Sequence, residues 1–263
     1  MNKHFRNATQ NEKTICAAIA IFIFLCLWQF VVSFTSVGIV MADPITVLKK
    51  FISSIVEPIG THTIEVHILW SLTRVMIGFL IGSLFGIFVG ILMGCYQPME
   101  GLLRPLYEII RPIPPIAWIP LSIVWFGLAE PSKYFLIFLA AFSSITMNVY
   151  SGVQSVDKTL MGVAKMLGAS DRQVFTTVVF PSCIPHIFAG LQIAIGSAWA
   201  TVVAAEMVRS SEGVGWVIIK GQDSNSTVQI MVGIVAVGIV GYILAVVMRR
   251  IEAKLCSWSV RGK

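Results

Sequence analysis

Charged residues are scarce in this sequence. Asp, Glu, Lys and Arg together make up 12% of its 263 residues, whereas soluble domains usually contain about 25%. Hydrophobic residues make up 56%. This composition excludes an ordinary soluble enzyme and predicts a membrane protein. Because a spanning helix needs about 20 apolar residues, the chain has room for about five to seven spans and none for a separate catalytic domain.

Metal-binding patterns and catalytic constellations are also missing. The five cysteines stand singly, and no CxxC pair occurs. The four histidines are scattered, and His62 and His67 are five positions apart rather than the four that bring two ligands together on a helix. We therefore expect no metal site, no bound cofactor and no catalytic residue in this chain.

Six apolar stretches contain no Asp, Glu, Lys or Arg. They lie at residues 15–34, 75–94, 115–128, 134–149, 187–205 and 228–248. Ion-coupled carriers usually need an ionisable group inside the membrane, so any transport here would run downhill or draw energy from another subunit. The sequence lacks the GxxxxGK[ST] phosphate loop, so ATP and Mg²⁺ would be bound by a partner.

The six stretches predict an all-α, polytopic membrane protein with six transmembrane helices. We expect a tail at 1–14, a first helix at 15–34 that is retained rather than cleaved as a signal, and an outer loop at 35–74. The membrane-spanning core is expected at 75–248, followed by a tail at 249–263. Most Lys and Arg residues fall on one side, so the positive-inside rule places both termini in the cytoplasm. We take these residues as topology signals, not as a nucleic-acid surface.

Three prolines interrupt the third stretch. Pro112, Pro114 and Pro115 lack backbone N–H groups and restrict the residues before them. A helix that could begin near Gly101 is expected to break here, and a new one to start at Pro115. The break could lie at membrane depth, where protein or a water-filled cavity covers its backbone, or it could be a tight interfacial turn without a role in transport.

The second stretch carries a stripe of glycines. Residues four apart share a helix face, so this stripe predicts close helix packing, with the lining of a pathway as the alternative. The stripe consists of Gly78, Gly82, Gly86, Gly90 and Gly94.

The loop at about 156–185 predicts two short helices. Leu160, Val163 and Leu167 have helical spacing, Gly168 can stop a helix, and Ser170 can cap a second helix from Asp171. We expect the second helix to end before Pro181. This pair could lie on the membrane surface or dock a partner.

The loop sequence GVAKMLGASDRQVFTTVVFPSCIP resembles the EAA loop of the permease subunits of bacterial ABC importers with the type I, MetI-like fold. The resemblance implies that this loop is a coupling helix that docks on an ATPase subunit. Gly162 stands where the family has Glu, so any salt bridge of that Glu is absent, and docking must depend on shape, apolar contact and the charges nearby. The implied coupling residues are Gly162, Val163, Ala164, Lys165, Met166, Leu167, Gly168, Ala169, Ser170, Asp171 and Arg172.

The resemblance narrows to the nitrate, taurine and aliphatic-sulfonate branch. It rests on RPIPPIAWIPLSIVWFGLAEPSK, VAAEMVRSSEGVGWVI and SLTRVMIGF, and it is strongest to taurine permeases. It implies a homodimer in the inner membrane, surrounded by lipid. Its implied partners are two ABC ATPases and a periplasmic or extracellular solute-binding protein. The amphipathic pattern at 41–51 could contact that binding protein. We expect alternating-access import of taurine or a related aliphatic sulfonate. Alternatives are nitrate, bicarbonate or a thiamine-precursor pyrimidine, or an ion-coupled carrier or channel.

An anionic solute would be bound by hydroxyls and N–H groups rather than by carboxylates. Ser and Thr in membrane helices often bond their own backbone instead, which is the alternative for each candidate. The carboxylate of Glu206 is expected to cap a gate or to accept hydrogen bonds from the backbone. The candidate pathway residues are Ser143, Ser144, Thr146, Ser197, Thr201 and Glu206.

Overall fold

The computed structural model describes residues 10–39, 41–208 and 210–256, and within these ranges it contains helices and no strand. Short 3₁₀ segments occur at Ser36–Ile39 and Pro115–Trp118, and a π segment occurs at Phe175–Val179. The α-helices are α1 (Gln10–Phe34), α2 (Pro44–Ser53), α3 (Ile64–Cys95), α4 (Gln97–Ile110), α5 (Ile119–Phe126), α6 (Glu130–Gln154), α7 (Lys158–Met166), α8 (Asp171–Val174), α9 (Phe180–Val208), α10 (Val214–Asp223) and α11 (Thr227–Leu255). The predicted all-α class is confirmed.

Five helical segments within the described residues are long and apolar enough to cross a membrane. They are Ile15–Phe34, Ile64–Cys95, Glu130–Gln154, Asp171–Val208 and Thr227–Leu255. A sixth candidate consists of α4 and the segment Pro115–Phe126, which meet at an angle of 84°. Six membrane-spanning segments therefore fit the structure. The outermost parts of the two predicted tails, residues 1–9 and 257–263, lie outside the described residues.

The chain divides into two compact units. One unit contains Met1–Ile64 and Val217–Ile234, and the other contains Glu65–Trp216 and Val235–Lys263. In the first unit, Asp43 caps α2 by accepting a hydrogen bond from the backbone N–H of Thr46. Hydrogen bonding with Thr46 lowers the pKa of Asp43, so the carboxylate remains a charged cap below its usual titration range.

The larger unit is held together by close packing of α3 against α6. A Cβ atom added to any glycine of the α3 stripe would lie between 2.5 and 3.0 Å from an atom of α6. Only glycine allows this backbone approach. The facing residues on α6 also recur at nearly every fourth position: Ile137, Ala141, Ile145, Val149 and Val153.

Helix α3 begins earlier than the sequence predicts. The second span was expected to begin at residue 75, but the helix begins at Ile64 and includes Arg74. A hydropathy pattern stops at an arginine, because an unpaired cation is costly in an apolar environment. In the folded chain Arg74 is 1% exposed and ion-paired, so the helix continues through it.

The prediction that a short helix ends before Pro181 is wrong. The segment Asp171–Val208 is helical throughout, with the π segment inserted just before α9. Pro181 lies within this continuous helix, two residues after the π segment, and its missing N–H removes one hydrogen bond from the helix ladder there. In the turn before it, the hydroxyls of Thr176 and Thr177 donate to the carbonyls of Arg172 and Gln173. These bonds help to satisfy the backbone where the helix register changes.

The proline-rich segment forms the bend between α4 and α5. Helix α4 ends at Ile110, and Pro114 has an extended backbone with ψ 141°. The chain then passes through Pro115–Trp118 into α5, and Pro112 lies in the same bend. Arg111, Ile113, Pro115 and Trp118 of this bend form one wall of a cavity.

Candidate functional site

A cavity of about 530 Å³ lies within the larger unit. Residues of α3, α4, α6 and α9 line it together with the α4–α5 bend. Four of the predicted pathway residues are among them: Ser143, Ser144, Ser197 and Thr201. The sequence placed these hydroxyls on two separate spans, and the structure brings them to one cavity.

The hydroxyls differ in what they can offer a ligand. Ser144 and Thr201 donate to carbonyls of their own helices, at 3.2 and 2.7 Å. Such a hydroxyl can still accept a hydrogen bond from a ligand, but its proton is already donated to the backbone carbonyl. Among the described residues, the Ser197 hydroxyl has no hydrogen-bond partner, so its proton is available.

Tyr107 of α4 joins one of these hydroxyl-bearing residues across the cavity wall. Its hydroxyl donates to the backbone carbonyl of Ser143 at 2.5 Å, and the Ser143 hydroxyl lies 3.4 Å away. The contact ties α4 to α6 beside the bend. A change in the angle at the bend would therefore act directly on the α6 side of the cavity.

Arg111 is the one charged residue among those that line this cavity, and no carboxylate lines it. It follows α4 at the start of the bend. A single guanidinium with nearby hydroxyls and an apolar wall favours a small anion or a zwitterion.

Two other predicted pathway residues lie elsewhere. Thr146 is fully buried, and its hydroxyl donates to the Phe142 carbonyl at 2.7 Å. Glu206 is buried near the end of α9, where its carboxylate belongs to a cluster of ionised groups. Neither side chain lines the cavity.

Arg74 of α3 is the centre of this buried ion cluster. Its guanidinium donates two parallel hydrogen bonds to Glu130 of α6, at 2.7 and 2.8 Å. It also donates to Glu206 and to the backbone carbonyl of Glu212, both at 2.8 Å. One cation thus joins α3, α6, α9 and the turn that follows α9.

The Glu206 carboxylate is satisfied from three directions. Besides Arg74, it accepts hydrogen bonds from the Ser71 hydroxyl at 2.9 Å and from the Gly215 N–H at 3.0 Å. Such a set of charge-assisted bonds compensates the cost of removing the carboxylate from water. The Ser71 oxygen in turn accepts a hydrogen bond from the N–H of Val214 at 2.9 Å.

The turn before α10 packs closely against the Glu206 carboxylate. Gly213 has φ +112°, and an added Cβ would lie 2.3 Å from the Glu206 carboxyl group. Its N–H donates to Nδ1 of His67, whose ring stacks on Trp216 at 5.1 Å. Arg209 lies outside the described residues.

Sequence reasoning identified Glu206 but missed most of its partners. Arg74, Ser71 and Glu130 stand just outside the predicted apolar stretches, so hydropathy assigned them to loops. A usable signal was present, because Arg74 directly precedes the second apolar stretch and Glu206 directly follows the fifth. Opposite charges at one depth in an apolar environment are expected to pair.

The loop between α6 and α9 contains the first predicted short helix, α7, and the start of the second, α8. Helix α7 ends before Gly168, which has φ +86°, and Ser170 caps α8 through a reciprocal capping box with Gln173. Met166 and Leu167, at the tip, are 88% and 84% exposed. Lys165 and Asp171 form an ion pair of 2.9 Å across the turn. Apolar side chains so exposed mark a candidate docking surface.

Gly162, which takes the place of the EAA glutamate, lies on an open face of α7. An added Cβ would meet no atom within 4 Å. The surrounding residues Val163 and Lys165 are exposed, and Ala164 and Ala169 are partly exposed. Arg172 is also exposed, at the start of α8. The face is therefore physically accessible to another subunit.

Comparison with known proteins now assigns the chain to a family. Residues 78–255 match the model of the binding-protein-dependent transport system inner membrane component. The chain belongs to this family. The permease is a non-catalytic, multi-pass inner-membrane subunit of an ABC importer, and its family implies ATPase and binding-protein partners.

Curated relatives of the permease carry different solute names. It is 35% identical to the taurine transport system permease protein TauC of Escherichia coli, over 90% of this chain and 86% of the relative. It is 36% identical to the nitrate import permease protein NrtB of Synechocystis, over 89% and 86%. It is 32% identical to the putative aliphatic sulfonates permease SsuC of Bacillus subtilis, over 90% and 84%.

A solved structure supports the fold. An inward-facing structure of the MetNI methionine ABC transporter aligns with a TM-score of 0.61, covering 71% of the permease and 93% of that chain at 19% identity. The permease therefore has the MetI-type fold that its sequence predicts. Within the described residues, no group of three or more His, Cys, Asp or Glu side chains could hold a metal ion.

Proposed function

We propose that the permease imports taurine or a related aliphatic sulfonate through the cavity beside the α4–α5 bend. The observation that carries this proposal is the lining of the cavity, where Arg111 provides the single charge and no carboxylate is present. Taurine and sulfonate appear in the names of relatives, and so does nitrate. All three solutes bear anionic oxygens that a guanidinium and hydroxyls can bind.

The volume of the cavity favours an organic solute over a bare inorganic ion. At about 530 Å³ it falls within the range of roughly 300–1,000 Å³ that small-molecule sites occupy. Leu106, Trp118 and Phe142 supply apolar surface that a short alkyl chain can contact. Nitrate has no such chain and would leave most of this surface unused.

Energy for import comes, in this proposal, from two ATPase subunits that bind ATP and Mg²⁺ and dock on the α7–α8 loops of a permease homodimer. Both termini and these loops then lie in the cytoplasm, and a solute-binding protein delivers solute from the other side. The exposed tip residues Met166 and Leu167 support the docking role, because a subunit would cover them.

A transport experiment tests the solute and the site together. Uptake of labelled taurine into proteoliposomes containing the complete importer is compared with and without excess nitrate, bicarbonate or an alkyl sulfonate. We expect competition by alkyl sulfonates and at least about a ten-fold loss of uptake in Arg111→Gln, since a charge-assisted hydrogen bond is worth about 1.5–3 kcal/mol. Competition by nitrate alone would contradict the sulfonate assignment.

Arg104→Gln is the matched control. Arg104 lies on α4, seven positions before Arg111, but it pairs with Glu100 and Glu108 and does not line the cavity. Its loss should leave the uptake of taurine nearly unchanged.

The coupling role has its own test. Ala164→Asp places a charge on the α7 face and is expected to lower ATP-driven uptake while the permease stays folded. Unchanged uptake in this variant would remove the docking role. Uptake by the purified permease alone, without ATPase, would instead support the alternative of a channel or an ion-coupled carrier.

A further inference from the structure

Helix α2 has two apolar faces with different surroundings. Val47 is 2% exposed and is buried inside the protein. On another face, Ile45, Leu48 and Ile52 follow the i, i+3, i+7 spacing and are 57%, 60% and 57% exposed. Val56, just after the helix, is 81% exposed. These side chains are all aliphatic, and the interior of the protein does not cover them.

The neighbouring helix indicates what covers this face. Helix α1 contacts α2 within the smaller unit, and the apolar window of its span Ile15–Phe34 has no buried residue. A 20-residue apolar span without protein around it faces lipid. Only residues 35–43, which include the 3₁₀ segment Ser36–Ile39, separate this span from α2. The ten residues of α2 are too few to cross a bilayer themselves, so α2 is suited to lie in the membrane interface.

A cationic side chain flanks the exposed apolar face. Lys49 is exposed, and it has no ion pair among the described residues. Its neighbour Lys50, by contrast, is bound to Glu57 at 2.9 Å. A lysine beside an aliphatic face can extend its ammonium toward lipid phosphates while its alkyl stem remains in the apolar layer.

We propose that α2 is an interfacial helix that binds the surface of an anionic phospholipid leaflet, with Ile45, Leu48 and Ile52 in the acyl boundary and Lys49 at a phosphate. A docking surface for the solute-binding protein is the competing assignment for the same helix. The three exposed hydrophobic residues of α2 are aliphatic, and its aromatic residue, Phe51, is only partly exposed. This face fits lipid better, because protein interfaces are enriched in aromatic side chains.

Depth measurements test the apolar part of this proposal. The full-length chain, with its five cysteines replaced, receives a fluorescent label at Leu48→Cys or at Thr46→Cys and is reconstituted into phosphatidylcholine mixed with phosphatidylglycerol. Thr46 lies on the polar side of α2 and is the matched control. We expect a blue-shifted emission and quenching by nitroxide lipids for the label at 48 only. Equal quenching of both labels by aqueous iodide would overturn the proposal, and so would shielding of residue 48 only after the binding protein is added.

Lipid retention tests the electrostatic part. Binding of phosphatidylglycerol to the full-length chain is measured by native mass spectrometry for Lys49→Gln and for Lys50→Gln. A lysine near a membrane surface contributes enough for about a five-fold change in lipid affinity. We expect this loss for Lys49→Gln and a smaller change for Lys50→Gln, whose ammonium is already paired. Equal retention by the wild type and Lys49→Gln would overturn the assignment of Lys49.

Discussion

Arg74 and Glu206 form an ion pair of 2.8 Å although 132 positions separate them in the sequence. Their side chains are 1% and 0% exposed, so neither charge reaches water. The pair joins α3 to α9, and Glu130 extends the connection to α6. Breaking it during transport would leave buried charges unpaired. The buried charges therefore hold these three helices to one another.

Removing the arginine should destabilise the permease strongly. Arg74→Leu leaves the carboxylates of Glu206 and Glu130 without their cation, and losing one partner of a buried pair costs about 3–5 kcal/mol. The measurement is the midpoint of thermal unfolding in detergent, followed through the fluorescence of the native tryptophans.

Arg104→Leu is the control for that experiment. Arg104 also pairs with two glutamates, but it is 45% exposed, and exposed ion pairs contribute at most about 1 kcal/mol. Its unfolding midpoint should fall much less than that of Arg74→Leu. Equal shifts in the two variants would show that the Arg74 cluster does not stabilise the fold.

The coupling between the two charges can be measured directly. In Glu206→Gln the amide oxygen can still accept from Ser71 and Gly215, but the charge opposite Arg74 is lost. The double variant Arg74→Gln with Glu206→Gln should be more stable than the sum of the single losses predicts, by about 1–3 kcal/mol. Simple additivity in the same unfolding assay would contradict an energetic pair.

Local patterns were sufficient to predict the turn between α7 and α8. Gly168 and Ser170 act within one turn of their own positions, through a positive φ and a capping box. Sequence alone carries such information. The continuation of α8 through the π segment into α9 was not predictable in this way, because no simple residue pattern specifies a π segment.

The ion cluster illustrates the other kind of failure. In the sequence, Arg74 only marks the boundary of an apolar stretch. Its role depends on Glu130 and Glu206, which α6 and α9 bring to it. Long-range pairing of this kind requires the tertiary fold. The four cavity hydroxyls show the converse, since each could be proposed from the sequence while their common location could not.

The close approach of α3 and α6 makes the glycine stripe sensitive to a single methyl group. In Gly90→Ala the new Cβ would lie 2.7 Å from the Thr146 carbonyl, which is backbone and cannot rotate away. We expect a loss of about 1–3 kcal/mol from overpacking. Gly238→Ala on α11 is the control, since its Cβ would meet no atom within 4 Å. That change should stabilise the helix by about 0.5–1 kcal/mol, and opposite signs in a thermal unfolding assay check both expectations.

The turn at Gly168 should control docking of the ATPase through backbone conformation alone. Gly168 and Gly162 both lie in open space, so neither alanine variant creates a clash, but only Gly168 has a positive φ, at +86°. Alanine at this position costs about 1–2 kcal/mol. If the turn must keep its native form for docking, this corresponds to roughly a five- to thirty-fold lower affinity for the ATPase. Gly162→Ala should leave docking intact and strengthen α7 slightly. The measurement is the amount of ATPase that co-purifies with each variant at matched permease levels. Equal recovery from both variants would show that the shape of this turn does not determine docking.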